Sequence, residues 1–208
     1  MLTVVDHPIV ADRVAQLRDP STGGADFRRI VREVAEYLAY EATRDLATET
    51  VTVRTALGAD ATCRRVVAPG PVVVPILRAG LGMLDGVLAA LPNAEVGVIG
   101  LRRDEESFRP VVYAEKLRDD LRGRDAFVID PMLATGGSLV AACDMLLARG
   151  VTDLRALALL AAPEGVRAVQ DHVPQIQIFT AALDDHLDER AFIVPGLGDA
   201  GDRLFGPA

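Results

Sequence analysis

The sequence predicts an α/β fold in which a parallel sheet is flanked by helices, and two observations support this. From residue 71 onward, short apolar runs typical of buried strands alternate with segments of helical periodicity. Repeated βα units of this kind build parallel sheets that helices cover on both faces. The chain has 208 residues, of which 50% are hydrophobic, so it can bury one sizeable core. We therefore predict a single domain spanning residues 1–208.

The first third of the chain is predicted to contain two helices and two extended segments. Residues 8–18 and 25–47 have helical periodicity, and apolar residues of the second segment recur at helical spacing: Phe27, Ile30, Val31, Val34, Leu38 and Leu46. Val51 and Val53 then alternate with polar residues, and CRRVV at 63–67 forms a second extended segment. Gly58 marks the turn between them.

The predicted sheet follows. Its strands are PVVVPIL (71–77), EVGVIGL (95–101), PVVYAEKL (110–117), AFVID (126–130), LRALALLAA (154–162), QIQIFTA (175–181) and AFIVP (191–195). One helix begins near Ala79, and another covers LVAACDMLLARG, where Gly150 ends it. Open sheets of this type bind ligands beyond the carboxyl ends of their strands. The candidate positions are the loops after Leu77, Leu101, Ile129 and Pro195.

Composition and charge disfavour several function classes. A formal net charge of −8 argues against nucleic-acid binding, which depends on clustered Lys and Arg. The longest apolar run, 156–162, is far shorter than the roughly 18 residues that suggest a membrane span. The segment MLTVVDHPIV lacks the basic start and long apolar centre of a signal peptide. We therefore expect a cytoplasmic protein with no nucleic-acid or membrane partner.

No resident metal or redox site is expected from the sequence. The two cysteines form no CxxC pair, and the histidines are scattered along the chain: Cys63, Cys143, His7, His172 and His186.

The segment IDPMLATGGS, residues 129–138, places an acid, two adjacent glycines and two hydroxyls between apolar segments. Asp130, at a strand end, could accept hydrogen bonds from sugar hydroxyls. Backbone N–H groups of residues 134–138, at a helix start, could hold a phosphate. The alternative is an ordinary capped helix start. The segment is not a Walker loop, because no Lys follows the glycines.

Two further loops carry arginines after predicted strands. PILRAGLGM places Arg78 at a strand end beside glycines, and GLRRDEES supplies Arg102 and Arg103. Either loop could bind an anionic ligand, although a solvated surface arginine is the commoner explanation for each loop alone.

GLGDAG, residues 196–201, fits the dinucleotide pattern G-x-G-x-x-G. A dinucleotide-binding loop opens a helix inside a βαβ unit, with an acid about 20 residues further on. The chain ends seven residues after Gly201, so we expect these glycines to serve another purpose.

Taken together, these motifs resemble those of the uracil phosphoribosyltransferase family. The resemblance rests on LAYEATRDL (38–46), PILRAGLGM, VIDPMLATGGS, AAPEG (161–165) and PGLGDAGD, in that family's order and spacing, and it extends from HPIV to PGLGDAGDRLFG. It implies a type I phosphoribosyltransferase fold with a small hood formed by N-terminal and C-terminal segments. It also implies that uracil reacts with 5-phospho-α-D-ribose 1-diphosphate, hereafter the phosphoribosyl donor, to give UMP and diphosphate.

The resemblance also implies roles for individual residues. Asp130 would bind the ribose hydroxyls, and Arg78 and Arg103 would face the diphosphate, so these three would carry the catalysis. The donor would be bound by Arg78, Arg103, Asp130, Pro131, Met132, Leu133, Ala134, Thr135, Gly136, Gly137, Ser138 and Asp199. Uracil would be bound by Ile193, Gly198, Asp199 and Ala200. Mg²⁺ would arrive with the donor, GTP could activate the enzyme, and the chain would form a homo-oligomer, a dimer or higher.

Three residues depart from the family's or the superfamily's pattern. Pro131 stands where the wider phosphoribosyltransferase motif has a second acid, as is usual in the uracil branch, so one carboxylate is available there. Arg102 replaces an expected aromatic residue and could alter donor affinity. Arg118 replaces a common proline after EKL, and we expect it to affect only loop stiffness.

The residues identify no general base, and deprotonation of uracil N1 could rely on a pocket that lowers its pKa. Two alternatives to the enzyme remain: a phosphoribosyltransferase-like regulator that binds nucleotides, and a noncatalytic oligomeric scaffold. We expect Gly136→Val to abolish donor use and to leave the fold largely intact, since a side chain would occupy the phosphate position. We expect Ala200→Leu to crowd uracil and spare donor binding.

Overall fold

The computed structural model describes residues 1–103 and 110–207, and it confirms the predicted α/β fold with a mainly parallel central sheet. The helices are α1 (Pro8–Arg18), α2 (Gly24–Ala42), α3 (Leu81–Ala90), α4 (Gly137–Leu147), α5 (Pro163–His172) and α6 (Ala200–Phe205). The strands are β1 (Leu2–Val4), β2 (Thr48–Arg54), β3 (Asp60–Val66), β4 (Val72–Leu77), β5 (Glu95–Val96), β6 (Val98–Arg103), β7 (Pro110–Lys116), β8 (Asp125–Ile129), β9 (Met132–Leu133), β10 (Asp153–Ala161), β11 (Gln177–Leu183), β12 (His186–Leu187) and β13 (Ile193–Val194).

The central sheet has the strand order β1-β11-β10-β8-β4-β6-β7, with the short β5 and β9 added at β4 and β10. Neighbours on this path are parallel except for β6 and β7, which are antiparallel. The carboxyl ends of β4, β8 and β10 therefore lie side by side at one edge of the sheet.

Alternate residues of the central strands face two different helical layers. In β4, Val73 packs in the cluster formed with α1, α2 and α3, whereas Val72 and Val74 pack in the cluster formed with α4 and α5. Successive residues of a strand point to opposite faces, so a strand covered on both faces must be apolar throughout. This explains why the continuous apolar runs correctly marked the strands.

The apolar face of α2 is confirmed, but its end is not. Phe27, Ile30 and Leu38 are fully buried, yet the helix stops at Ala42, before the predicted residue 47. The buried guanidinium of Arg155, on β10, donates to the Ala42 carbonyl oxygen and pairs with Asp45. A contact from the sheet therefore satisfies one of the carbonyls that a helix end leaves open.

Other boundaries also differ from the prediction. The helix expected near Ala79 begins at Leu81, and the strand expected over 95–101 is divided at Gly97 into β5 and β6. The short elements β1, β9, β12 and α6, as well as α5, were not predicted.

The segments 48–54 and 60–66 form a separate two-stranded antiparallel sheet with its turn around Gly58, as predicted. Nearly all residues of both strands are exposed. No helix in the described part of the chain is long and apolar enough to cross a membrane.

Candidate active site

Three loops meet at the carboxyl edge of the sheet because the strands that they follow are parallel neighbours. They begin after Leu77, Ile129 and Ala161. The fourth predicted loop, after Pro195, does not follow a strand of the central sheet. The strand that precedes it, β13, pairs with β12 in a separate two-stranded sheet. That part of the prediction is wrong, although residues 198–201 line a cavity together with Arg78 and Asp130.

A cavity of about 200 Å³, here called the anion cavity, lies against the start of α4. Its lining includes Asp130 and every residue of the predicted phosphate segment 134–138. The N-cap of α4 is Gly136, and no side chain in the described residues caps the first turn. The first N–H groups of a helix lack intrahelical acceptors and lie at the positive end of its dipole. The arrangement fits an anion, and the ordinary capped start does not occur.

Gly136 and Gly137 have different roles in this loop. Gly136 has a φ of 83°, and an added Cβ would lie 2.9 Å from the Gly165 carbonyl oxygen and 3.0 Å from Val169 Cγ2. A side chain there would strain the backbone and press against α5. The expectation that Gly136→Val leaves the fold intact is therefore wrong. An added Cβ on Gly137 would meet only Thr135 Oγ1, at 3.9 Å, and Gly137 lines the anion cavity.

Asp130 lines the anion cavity and also a second cavity next to it. The surrounding protein removes water from the carboxyl and raises its pKa to about 7, while a hydrogen bond from the Met132 backbone N–H acts in the opposite direction. The residue as a whole is only half-buried, so a ligand can reach it. Its backbone N–H donates to the Leu157 carbonyl at 3.2 Å, which ties the strand end to β10.

The second cavity, of about 410 Å³, shares Asp130, Met132 and Ala134 with the anion cavity. It brings Arg78 together with the four residues that were predicted to bind uracil: Ile193, Gly198, Asp199 and Ala200. Pro131 lines neither cavity. Its carbonyl accepts the N–H groups of Leu159 and Leu160, so it helps to hold the loop against β10.

Sequence reasoning missed five residues that line the second cavity. Ala79 and Gly201 are chain neighbours of predicted site residues, and the other three are consecutive: Arg190, Ala191 and Phe192. These three form the turn between β12 and β13, where the Asp188 carboxylate accepts the N–H of Arg190 at 2.9 Å and of Phe192 at 2.8 Å. An Asp that binds backbone groups two and four residues further on is a local turn signal. Asp188 stands three positions before the first residue of the predicted strand AFIVP and could have identified this turn.

Asp199 and Ala200 also have structural roles. The Asp199 carboxylate caps α6 by accepting the Asp202 N–H at 2.9 Å. Ala200 is 2% exposed and packs in the core, so a leucine there would disturb the fold as well as the cavity. This variant would therefore not separate an effect on uracil binding from an effect on folding. GLGDAG does precede a helix, but α6 is only six residues long and no strand follows it in the described residues.

The structure describes the side chain of Arg78 but not that of Arg103. Arg78 is exposed at the second cavity, directly after β4, and the Leu77–Arg78 peptide bond is cis. An added Cβ on Gly80 would lie 2.5 Å from the Ile129 carbonyl oxygen, so glycine allows this loop to approach the end of β8 beside Asp130. Arg103 ends β6, and its side chain lies outside the described residues. Arg102 is exposed, and the exposed Arg118 pairs with Glu95 at 2.7 Å.

Within the described residues, no three His, Cys, Asp or Glu side chains are grouped so that they could hold a metal ion. The carboxylates lining the second cavity are Asp130 and Asp199. Mg²⁺ prefers about six oxygen ligands and is commonly bound through one or two carboxylates, waters and substrate phosphates. The donor set therefore fits a magnesium ion that a phosphate-bearing ligand brings with it, and does not fit a resident one.

Comparisons with known proteins agree with this arrangement. The family model for uracil phosphoribosyltransferase matches residues 4–207. A relative from Kineococcus radiotolerans, named uracil phosphoribosyltransferase, is 56% identical over 209 residues, which cover 99% of this chain and 98% of the relative.

Solved structures also match the fold of this chain. The AQ2163 protein from Aquifex aeolicus matches with a TM-score of 0.94 and 35% identity, covering 100% of this chain and 99% of that one. A hypoxanthine-guanine phosphoribosyltransferase from Bacillus anthracis matches with a TM-score of 0.51 and 13% identity over 75% of this chain and 78% of that one. The second likeness concerns the fold alone.

Proposed function

The chain belongs to the uracil phosphoribosyltransferase family and has the type I phosphoribosyltransferase fold, and we propose that it makes UMP and diphosphate from uracil and the phosphoribosyl donor. One observation carries this proposal. Two adjoining cavities share Asp130, and one ends at an uncapped helix start while the other ends at residues 198–201. A 5′-phosphate suits the first cavity and a base suits the second, so the ribose C1 of the donor would lie at their junction.

In this proposal, the protein acts mainly by electrostatics and orientation. When the bond between ribose C1 and the diphosphate oxygen breaks, positive charge develops on the sugar and negative charge on the leaving group. Arg78 stabilises the diphosphate, and Arg103 is proposed to contact it from the neighbouring loop. Asp130 accepts hydrogen bonds from the ribose hydroxyls and holds the ring so that uracil N1 can form the new bond to C1. Mg²⁺, when bound to the donor, adds positive charge at the diphosphate.

The second cavity is proposed to lower the pKa of uracil N1. Its two carboxylates have other tasks: Asp130 faces the ribose, and Asp199 caps α6. Arg190, at the same cavity, contributes positive charge, which favours the anionic form of the base. The proton of N1 can then leave to solvent without a dedicated general base.

Backbone groups of residues 198–200 are proposed to bind the edge of the base. Uracil presents an acceptor, a donor and an acceptor along O2, N3–H and O4, whereas N3 of cytosine accepts and its amino group donates. Cytosine would leave buried backbone groups unpaired, and a site of this type can discriminate by roughly 10⁴. Thymine keeps the same edge and adds a methyl group, so its exclusion depends on the shape of the cavity.

The test is to incubate the purified protein with uracil, the donor and Mg²⁺, and to measure UMP. Cytosine, thymine and purine bases replace uracil in parallel reactions. UMP from uracil, with cytosine slower by roughly 10⁴, supports the proposal. A well-folded protein that binds nucleotides and forms no UMP would instead support the regulator.

We further propose that residues 1–208 act as one domain, with α1 and the segment after β11 forming the hood, and that the chain is a homo-oligomer. The β2–β3 hairpin supports oligomerisation, because a hairpin exposed on both faces is marginally stable alone. Sedimentation at a multiple of 22.1 kDa would agree with this, and a 22.1 kDa species would contradict it.

We also propose that the protein acts in the cytoplasm and that GTP activates it. Cys63 and Cys143 are free thiols in the described structure, which suits the reducing cytoplasm. Activation by GTP rests on the family resemblance alone. Initial rates of UMP formation with and without added GTP test it, and equal rates would exclude it.

A further inference from the structure

An ion pair lies behind the loop of residues 193–201 and joins it to the sheet. Asp184 directly follows β11, is 6% exposed, and its backbone N–H donates to the Ala161 carbonyl at 2.8 Å. The carboxylate is thereby fixed at the carboxyl edge of the sheet. Arg18, the last residue of α1, binds both of its oxygens: Nη1 donates to Oδ2 at 2.8 Å, and Nη2 donates to Oδ1.

This ion pair also binds both polar backbone groups of Gly196. Asp184 Oδ2 accepts the Gly196 N–H at 2.9 Å, and Arg18 Nη1 donates to the Gly196 carbonyl oxygen at 2.7 Å. Gly196 is buried and lies between Ile193 and Gly198, which both line the second cavity. Its φ is 63°, and an added Cβ would collide with the Ile193 carbonyl oxygen. Gly196 is therefore held from both sides of its backbone, directly beside the cavity.

The arrangement is better suited to orientation than to stabilisation. A buried ion pair contributes little net stability, because removing two charges from water offsets their attraction. A two-point contact between guanidinium and carboxylate nevertheless fixes geometry strongly. Neither Arg18 nor Asp184 lines the second cavity, so any effect on a ligand must pass through the loop.

We propose that Arg18 and Asp184 are positioning residues that hold the 193–201 loop at the distance where its backbone groups meet the base. This inference rests on the proposed function, because it requires that uracil binds to this loop. The expected effect of losing the ion pair differs between the two substrates. The affinity for uracil depends on the ion pair, whereas the affinity for the donor does not, because the start of α4, Asp130 and Arg78 bind the donor from outside this loop.

The chain provides a matched control on the same helix. Arg13 also lies on α1 and pairs with Glu33 at 2.7 Å, and its side chain is 27% exposed compared with 26% for Arg18. The variants to compare are Arg18→Gln, Asp184→Asn, Arg18→Lys and Arg13→Gln. We expect Arg18→Gln and Asp184→Asn to raise the KM for uracil by about tenfold or more and to leave the KM for the donor within about twofold. Arg18→Lys should restore part of the loss, and Arg13→Gln should change neither KM.

Hydrogen exchange gives a readout that needs no substrate and also suits variants with reduced activity. Arg18→Gln and Arg18→Lys should speed amide exchange in residues 193–201, and Arg13→Gln should not. Unchanged exchange in this segment would overturn the inference. An unchanged KM for uracil, or a parallel rise in both KM values, would also overturn it. A wild-type protein that forms no UMP would refute the proposed function, and the exchange data would still decide whether the ion pair holds the loop.

Discussion

The fold changes the acid–base chemistry of a single residue, Asp130. Burial raises the pKa of its carboxyl to about 7 in the folded protein, whereas the ordinary value of about 4 applies in the unfolded chain. Between these values, the folded protein binds a proton that the unfolded chain has released. The free energy of unfolding should therefore fall as pH rises from about 4 to about 7.

Asp130→Asn tests this linkage because an amide does not titrate. We expect the variant to resemble the wild type near pH 4, and to be more stable than it near pH 8 by up to about 4 kcal/mol, because a tenfold change in acidity corresponds to about 1.4 kcal/mol. Urea unfolding at a series of pH values measures the difference. If the two proteins kept a constant difference across this range, Asp130 would not have the raised pKa.

The two glycines at the start of α4 give a second test at this scale. In Gly137→Val the side chain enters open space at the anion cavity, so we expect the KM for the donor to rise by about 10² with little loss of thermal stability. In Gly136→Val the backbone keeps a positive φ that costs about 1–2 kcal/mol, and the side chain presses on α5. That variant should melt earlier. Normal use of the donor by a well-folded Gly137→Val protein would exclude this cavity as the phosphate site.

The sequence predicted which residues line the two cavities wherever the signal was local. Asp130 and Arg78 directly follow apolar strands, and the glycines of the phosphate segment precede a helical pattern. The ion pair of Arg18 and Asp184 could not be predicted in this way, because its members are 166 residues apart and neither belongs to a recognisable motif. Only the fold brings them together.

Burial determined which of the predicted strands and helices were correct. β4, β8 and β10 are covered on both faces, so their apolar runs were unambiguous. The end of α2 was predicted too late because Arg155, more than a hundred residues away, binds the last turn. α5 was missed although Val166, Val169 and Val173 recur at helical spacing after a proline, which is a start signal.

The turn between β12 and β13 allows a prediction at this scale. Ala191 has a φ of 63°, a conformation that costs about 1–2 kcal/mol for a residue with a Cβ. Glycine avoids this cost but loses roughly 0.4–1 kcal/mol through the unfolded chain. We expect Ala191→Gly to raise the unfolding free energy by about 0.5–1 kcal/mol and the Tm by a few degrees. A lower Tm would show that the Ala191 methyl group makes contacts that outweigh the strain.

Across the whole protein, the two cavities are lined by different parts of the chain. The anion cavity is built by the β8–α4 segment and three residues of β10, and the second cavity adds residues from the loop after β4 and from the last twenty residues of the chain. A ligand that fills both cavities therefore joins segments distant in sequence. Any ligand that binds only the folded state raises the free energy of unfolding by RT ln(1 + [L]/Kd).

UMP should fill both cavities, since it carries the 5′-phosphate, the ribose and the base. At about 100 times its Kd, it should stabilise the protein by about 2.7 kcal/mol, which corresponds to roughly 5–10 °C in Tm for a chain of this size. CMP and ribose 5-phosphate share the phosphate and the sugar, so at the same concentration each should give a smaller and similar shift. Gly137→Val should reduce all three shifts, whereas Arg18→Gln should mainly remove the advantage of UMP over CMP. Thermal melts of the three proteins with the three ligands measure this. Equal shifts with UMP and CMP in the wild type would show that the 193–201 loop does not recognise the base.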